Sequence, residues 1–324
     1  LACVVLAHGF ARLQCDTCAF ERLVPFSCKG RGFCPSCGGR RMTEHAARLV
    51  DGILPHVPVR QWVLTLPYRL RYVLAWDHGL CRAVLAVYAR ALLGFERRRA
   101  RQRGIRDGRT GSVTVIQRSG GGLNLNIHFH TLVLDGVFTE SAAGELRFHP
   151  ALPPTDEEVA QLLASLRRRV GRLLKRRGLE GAEEGVGRAA TVAEESFILA
   201  GISSASVQGR VALGPRAGGR VLRLGYEPED AEVGSRGPRQ AHLDGFDLHA
   251  NLAVPARDRV RLEGLCRYLL RPPISEDRLR LMDDGRVLVT LKTAWADGTS
   301  HLLFEPIELL EKLATVTPRP RINL

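Results

Sequence analysis

Two histidines, His128 and His130, stand two residues apart in LNLNIHFHTLVLDG, residues 123–136. The alternation of apolar and polar residues predicts a β-strand, in which successive side chains point to opposite faces. Both imidazoles then share one face of a sheet, about 7 Å apart. Such a pair can hold one divalent ion and leave coordination positions open, which a catalytic ion needs in order to polarise a phosphate. By itself the pair is a weak signal, because short patterns of this kind more often form the wet face of a sheet.

Six of the eight cysteines fall within the first 37 residues. Four of them form two C-x2-C pairs with the spacing of a tetrahedral zinc site: Cys15, Cys18, Cys34 and Cys37. Because no secretory signal precedes them, a reducing compartment is expected, where a metal is favoured over disulfides. Four thiolates fill the coordination sphere, so this zinc would be structural. Cys3 and Cys28 are left over, and Cys28 could replace one of the four.

A candidate nucleophile, Tyr268, lies in LEGLCRYLLRPP near the carboxyl end of the chain. The helical period places an apolar stripe beside it, formed by Leu262, Leu265, Cys266 and Leu269. Arg271, three residues on, neighbours the tyrosine on the surface. A tyrosine in this position can attack a phosphodiester and hold the product covalently. The alternative is an amphipathic tyrosine at the rim of a packed helix.

The charge of the chain favours a polyanionic partner. Lysine and arginine total 47 against 34 aspartate and glutamate residues, which gives a formal net charge of +13. Two arginine-rich runs, residues 95–106 and 166–177, could follow a phosphate backbone, although each could also be a solvated helix face. The candidates for phosphate contacts beside the cysteine pairs are Lys29, Arg31, Arg40 and Arg41.

Length and composition predict a soluble globular protein. With 324 residues, 45% of them hydrophobic, the chain can bury at least one large core, and its length suggests about two domains. No apolar run approaches the roughly 18 residues of a membrane span, and no signal peptide pattern opens the chain. The missing initiator Met and the abrupt end at RPRINL lead us to expect a fragment.

The spacing of apolar residues and the positions of proline and glycine predict the helices and strands that must position these residues. A Cys-rich unit, residues 1–42, precedes a helix that ends near Pro55 and a buried strand, RQWVLTLP, that Pro67 closes. A long amphipathic helix is expected from about Tyr68 to Arg103. SVTVIQR and LNLNIHFHTLVLD then form a hairpin around SGGG.

The second half of the chain contains a helix within residues 151–178, capped by Thr155. Residues 179–245 are rich in glycine and arginine, carry short strand-like runs such as SFILAGI, RVALG and RVLRLG, and predict an insertion of lower order. FDLHANLAV is a strand, and the following helix, ARDRVRLEGLCRYLL, ends at a double proline. The tail predicts strands in GRVLVTLKT and SHLLFEP and a short helix in IELLEKLATV.

Three ordered motifs of this sequence resemble those of HUH nucleases, in the version carried by rolling-circle insertion-sequence transposases: WVLTLP, NIHFHTLVLDGVF and LCRYLLRPP. FSCKGRGFCPSCGGRRM is similar to the amino-terminal zinc-binding domain of that family. LLFEPIELLEKLA and PRPRINL are similar to its carboxyl-terminal part. The resemblance covers nearly the whole chain and is least specific in residues 179–245.

The resemblance implies an α+β fold, a mainly antiparallel HUH-nuclease-like sheet with helices, preceded by a small zinc-ribbon-like module. It implies that His128 and His130 bind Mg²⁺ or Mn²⁺, and that Tyr268 cuts single-stranded DNA to leave a 5′-phosphotyrosine and a free 3′-OH. It further implies a transposase that works on single-stranded element ends and targets, without a membrane partner, in a bacterial-type cytoplasm near the nucleoid. The expected domains are a zinc-binding domain, two parts of the nuclease domain and an insertion between those parts: residues 1–42, 43–150 with 246–324, and 151–245.

Two features depart from that pattern or stay open. Members with two tyrosines carry the other one a helical turn earlier, where this chain has Gly264, so a single-tyrosine variant is expected. A third, oxygen-bearing metal ligand would help, because imidazole alone suits zinc better than magnesium. Gln117 is one candidate, although a tight SGGG hairpin would pair it with Asn124, about 13 Å from His128. His249 is the rival candidate.

Two other functions remain open on the sequence alone. The first is a zinc-dependent DNA-binding protein without catalysis, or a decayed transposase fragment, which the Gly264 position favours. The second is a metallohydrolase of small substrates built on the histidine pair, against which the net charge of +13 argues.

Overall fold

The computed structural model of the chain describes residues 6–18, 20–25, 34–179, 197–225 and 237–318. Its helices of two turns or more are α1 Pro35–Arg48, α2 Tyr68–Trp76, α3 His78–Gln102, α4 Asp156–Arg176, α5 Phe197–Val207, α6 Arg259–Leu270 and α7 Pro306–Val316. Its strands are β1 Phe10–Gln14, β2 Glu21–Pro25, β3 Val59–Thr65, β4 Ser112–Ser119, β5 Leu125–Leu134, β6 Gly136–Glu140, β7 Leu146–Pro150, β8 Leu222–Leu224, β9 Gln240–Leu243, β10 Phe246–His249, β11 Ala253–Val254, β12 Leu279–Leu281, β13 Val287–Thr290 and β14 His301–Phe304.

A central antiparallel sheet organises the fold. Its strands run in the order β4-β5-β3-β10-β9, and β11 also pairs with β3. A second sheet has the order β12-β13-β14-β8, and two further pairs, β1-β2 and β6-β7, form hairpins. All of these pairings are antiparallel, which confirms the α+β class with mainly antiparallel sheets.

The two faces of the central sheet carry different cores. On one face, side chains of β3 and β5 such as Trp62 and Phe129 pack against helices α2, α3 and α4. On the other face, Leu132 and Leu134 pack with apolar residues of α1 and α6, including the predicted stripe of Leu262, Leu265, Cys266 and Leu269. Strand β5 is therefore covered on both sides, as its apolar second half predicts.

Several predicted elements differ from the structure in their extent or type. The long helix from Tyr68 is two helices, because Asp77 accepts a hydrogen bond from the backbone N–H of Leu80 and caps a new one. Helix α1 begins at Pro35, inside the second cysteine pair. SFILAGI is expected as strand-like, but its described residues, from Phe197 on, begin helix α5, which packs on α2 and α7. RVALG forms no strand among the described residues, apart from an isolated bridge at Arg210.

Helix α3 qualifies the expectation about membranes. By length and composition it is the one helix among the described residues that could cross a membrane. Its apolar side chains, such as Leu80, Val84 and Leu92, are buried in the core against the central sheet. Apolar packing inside the fold therefore accounts for its composition.

A buried ion pair ties the central strands together. Arg60 of β3 donates two hydrogen bonds to Asp135, at 3.0 and 2.7 Å, and a third to the carbonyl of Ala250 at 3.0 Å. Both charged side chains are less than a tenth exposed. The bidentate geometry satisfies the guanidinium donors that burial would otherwise leave unpaired.

We expect Asp135→Ala to lower the free energy of unfolding by about 3–5 kcal/mol, because it leaves Arg60 buried without a counter-charge. Denaturant unfolding measures the loss. Glu263→Ala is the matched control, since it breaks the exposed pair with Arg267 and should cost less than about 1 kcal/mol. A similar loss in both variants would contradict the role of the buried pair.

Candidate active site

The register of three central strands brings His128, His130 and Gln117 to one sheet face. His128 lies opposite Thr65 on β3 and opposite Gln117 on β4, and His130 lies between Val63 and Val115. Residues directly opposite in an antiparallel pair point to the same side, with Cβ atoms about 5 Å apart. Gln117 therefore neighbours His128 directly.

The expected pairing of Gln117 with Asn124 is wrong. Ser119 pairs with Leu125, and the register shifts between Gln117 and Ser119, so the connection is wider than a tight hairpin. The N–H of Gly120 bonds to the carbonyl of Asn124, and Leu123 adopts a positive φ of 57° within the turn. The wider turn and the bulge move Gln117 four residues along β5, to His128.

Each histidine is oriented through its Nδ1 atom. The two ring centroids are 4.9 Å apart. His128 Nδ1 lies 2.8 Å from the carbonyl oxygen of Asn126, so this nitrogen carries the proton and the Nε2 lone pair stays free for a metal. His130 Nδ1 lies 2.8 Å from the side-chain amide of buried Gln61. The amide atom at that distance is Nε2, which donates to Nδ1 and leaves the ring proton on His130 Nε2. Turning the amide by 180° places Oε1 there instead, where it accepts the Nδ1 proton and frees Nε2 for a metal.

Burial keeps both imidazoles neutral. It lowers the pKa of His130 to about 3, with further contributions from His128 and Arg271. Burial is also the main cause that lowers the pKa of His128, and Arg71 and Arg271 act in the same direction. A neutral imidazole is the form that binds a metal, so the pair is ready to act as ligands near neutral pH.

Helix α6 places Tyr268 beside the histidines. The phenol ring centroid lies 5.9 Å from that of His130, and the two rings meet edge to face. Gln117 Nε2 donates a hydrogen bond of 2.7 Å to the carbonyl of Leu269, which ties the end of this helix to strand β4. The glutamine amide oxygen is not used in that bond.

Two cations flank the tyrosine ring. The guanidinium of Arg271 lies 4.3 Å from the ring centroid, as the helical spacing predicts for a neighbour. The ammonium of Lys292 lies 4.7 Å from the same centroid and comes from the loop after β13. Both charges are placed to attract a phosphate that approaches the phenol.

The donors on this sheet face suit a divalent ion that accepts both nitrogen and oxygen ligands. Two neutral imidazoles supply nitrogen, and Gln117 supplies an amide oxygen next to His128. Asn126, two residues before His128, has a buried side-chain oxygen without a hydrogen-bond partner among the described residues. His249 is on β10 and pairs with Val63 of β3, which in turn pairs with His130 of β5. His249 is therefore two strands, or about 10 Å, from His130. The register favours Gln117, which also bears an oxygen, over the more distant His249 as the third ligand.

Sequence reasoning missed Gln61 and Lys292. Gln61 stands one residue before WVLTLP and shares the face of Val63 and Thr65, so the two-residue period could have placed it toward the histidines. No local pattern identifies Lys292, because its loop reaches the tyrosine only through the packing of the second sheet.

The structure does not assemble the predicted four-cysteine zinc site. Cys15 and Cys18 lie in the β1–β2 loop, whereas Cys34 precedes helix α1 and Cys37 lies in its first turn. Among the described residues, which include all four, no three His, Cys, Asp or Glu side chains stand together at metal-binding spacing. Hydrogen bonds from Thr17 and Cys18 lower the pKa of Cys15 to about 6, which favours the thiolate that a metal binds.

The basic residues of the amino-terminal unit are only partly described. Arg40 and Arg41 are exposed on helix α1. Lys29 and Arg31 lie outside the described residues, as do Cys3 and Cys28.

Helix α1 connects the amino-terminal unit to the tyrosine helix. The two helices pack together through apolar residues that include Ala46 and Leu265. Gly38 of α1 lies close to the end of α6, because an added Cβ would lie 2.8 Å from the Cβ of Pro272. The second cysteine pair therefore sits directly against the end of the helix that carries Tyr268.

Comparison with known families identifies both parts of the chain. Residues 111–324, more than half of the sequence, match the family model Y2_Tnp, described as "Putative transposase". Residues 1–66 match a second model, described as "Transposase zinc-binding domain". No curated protein and no solved structure matches the chain. The cysteine pairs and the histidine strand thus fall in two matched regions of transposase type.

We expect acid to destabilise the fold through His130 at a pH above the ordinary pKa of carboxyl groups. The unfolded chain takes up a proton on His130 near the ordinary pKa of 6.5, whereas the folded chain does so only near 3. When the pH is lowered from 6.5 to 5.5 without added divalent ions, the free energy of unfolding falls in the parent. In His130→Gln this fall should be smaller by about 1 kcal/mol. Burial raises the pKa of Glu96 to about 7, so protonation of Glu96 stabilises the fold as the pH falls. This contribution is the same in both proteins and cancels when they are compared. An equal pH dependence of the unfolding free energy in both proteins would contradict a buried, neutral His130.

Proposed function

Because the chain belongs to the Y2_Tnp transposase family, we propose that it nicks and rejoins single-stranded DNA through a covalent link to Tyr268 during rolling-circle transposition. The observation that carries the proposal is the position of the Tyr268 ring, 5.9 Å from His130 on the sheet face of the histidine pair. The zinc-binding match and the cysteine pairs support zinc as a structural ion. Mg²⁺ or Mn²⁺ is proposed for the histidine site.

In the nicking step, the Tyr268 oxygen attacks the scissile phosphorus and forms a P–O bond as the bond to the 3′-oxygen breaks. The phenol releases its proton, and the departing 3′-oxygen gains one, so the products are a 5′-phosphotyrosine and a free 3′-OH. Arg271 and Lys292, beside the ring, hold the non-bridging phosphate oxygens. Rejoining is the reverse reaction, in which a 3′-OH attacks the phosphotyrosine and Tyr268 leaves.

His128, His130 and Gln117 would hold the divalent ion, which supplies Lewis-acid polarisation of the phosphate when bound. Asn126 orients the His128 ring with its Nε2 free, and Gln61 contacts Nδ1 of His130. With the Gln61 amide turned so that its oxygen accepts from that Nδ1, both Nε2 atoms can face one ion. Gln117 also anchors the tyrosine helix through Leu269, so one side chain couples the ligands to the nucleophile.

A second candidate function is DNA binding without cleavage. It is favoured by Gly264, which stands where two-tyrosine relatives carry their other tyrosine. A Cβ added there would meet no atom within 4 Å, so packing around that Cβ does not require glycine. In the proposed function, Tyr268 is the nucleophile of each chain, and a second strand transfer uses Tyr268 again or another subunit.

We expect Tyr268→Phe to abolish the covalent adduct with a labelled single-stranded oligonucleotide that spans one end of the element, in the presence of Mn²⁺. A denaturing gel measures the adduct. Tyr68→Phe is the control, since Tyr68 is exposed at the start of α2 and should leave adduct formation unchanged. Adduct formation by Tyr268→Phe at the level of the parent would exclude the proposed mechanism. Its absence in the parent would favour the non-catalytic function.

The two roles of Gln117 can be separated by substitution. Gln117→Leu removes both the amide oxygen and the bond to Leu269, so Mn²⁺ affinity should fall about 10-fold or more. Gln117→Glu keeps an oxygen ligand and should bind Mn²⁺ at least as tightly as the parent, while losing adduct yield because its carboxylate cannot donate to Leu269. Electron paramagnetic resonance measures free Mn²⁺. Equal Mn²⁺ affinity in the parent and the leucine variant would exclude Gln117 as a ligand.

A further inference from the structure

A groove of roughly 510 Å³ between helices α3 and α4 is lined almost entirely by cations. Its lining residues are Val87, Arg90, Arg169, Arg172, Lys175 and Arg176. We call it the basic groove. Among the residues that the structure describes, no lining side chain is acidic and none is aromatic.

Two helices contribute to the basic groove. Arg169, Arg172 and Arg176 recur at three- and four-residue intervals and so share one face of α4. Arg90 comes from the middle of α3. The helices run antiparallel, since Arg99 near the end of α3 pairs with Glu158 in the first turn of α4. The acidic residues of α4 therefore lie at the opposite end from the groove.

Helix electrostatics alone do not explain this arrangement. Basic residues in the last turn of α4 complement the helix dipole, but Arg169 lies two turns earlier and Arg90 belongs to another helix. Like charges that face one another across a groove repel and destabilise the fold modestly. Within the described part of the chain, no ion pair neutralises Arg90, Arg169, Arg172 or Arg176. A polyanion in the groove would remove that repulsion.

The groove lies on the opposite side of the central sheet from the histidines. Helices α3 and α4 cover the face that carries Trp62 and Phe129, whereas His128 and His130 point to the other face. DNA in the groove must therefore be a different segment from the few nucleotides held at Tyr268.

The chemistry of the lining indicates what kind of DNA. Proteins that hold single strands stack bases on aromatic side chains, and the basic groove has none. Arginine and lysine without base-stacking partners suit the phosphates of a duplex, whose bases are turned inward. We propose that the basic groove binds the phosphate backbone of duplex DNA that flanks the single strand at the tyrosine. The placement of that single strand rests on the proposed function.

The test compares two variants that remove the same charge. The groove variant carries Arg90→Gln, Arg169→Gln, Arg172→Gln and Arg176→Gln. The control carries Arg97→Gln, Arg98→Gln, Arg101→Gln and Arg106→Gln, which removes exposed arginines of the other basic run. Fluorescence anisotropy of a labelled duplex of arbitrary sequence, titrated at several salt concentrations, gives affinity and salt dependence. Circular dichroism melting checks that both variants fold as the parent does.

We expect the groove variant to bind the duplex at least 10-fold more weakly and the control to stay within about 3-fold of the parent. The magnitude of the slope of log affinity against log salt should decrease by about 3.6 in the groove variant if all four arginines contact phosphates, because each contact contributes about 0.9. Equal weakening in both variants, or none in the groove variant, would overturn the proposal. So would a groove variant that loses single-strand binding but keeps duplex binding.

Adduct formation on a short single-stranded oligonucleotide separates this proposal from the proposed function. The groove variant should form as much adduct as the parent, because a short strand covers only the tyrosine face. A parent that forms no adduct while the groove variant loses duplex binding would refute the nicking mechanism and leave the groove assignment intact.

Discussion

The hydrogen-bonded register of β4, β5 and β3 is the constraint on which the whole site depends. It sets Gln117 opposite His128 and Val63 opposite His130, and so decides which side chains meet on the sheet face under helix α6. A slip of one residue would turn both histidines into the apolar core between the sheet and α3. The cost of burying two imidazoles there, and of expelling Phe129, makes the observed register the stable one.

The sheet face that carries the histidines also carries several positively charged side chains. Arg71 and Arg271 disfavour protonated histidine, and burial adds to their effect, so the rings stay neutral. The same positive charges, with Lys292, favour the approach of a phosphate to Tyr268. The local electrostatics thus suit neutral ligands and an anionic substrate together. The basic groove is a second cluster of positive charge, on the far side of the sheet.

The sequence predicts those features that depend on a local period. Strand alternation places both histidines on one face, and the helical stripe places Tyr268 beside the core with Arg271 as its neighbour. The features that differ from the prediction depend on bulges, helix caps and tertiary packing, which the spacing of apolar residues does not reveal. A bulge resets the pairing of Gln117, the Asp77 cap divides one expected helix into two, and SFILAGI is helical because it packs on α2 and α7. Lys292 reaches the tyrosine only through tertiary packing.

The most direct test of this account is a crystal structure of the protein soaked with Mn²⁺, with the ion located by its anomalous scattering. We expect one peak about 2.1 Å from Nε2 of both His128 and His130, on the side that faces the Tyr268 hydroxyl and within reach of the Gln117 amide oxygen. A manganese ion bound elsewhere, with neither imidazole as a ligand, would contradict it.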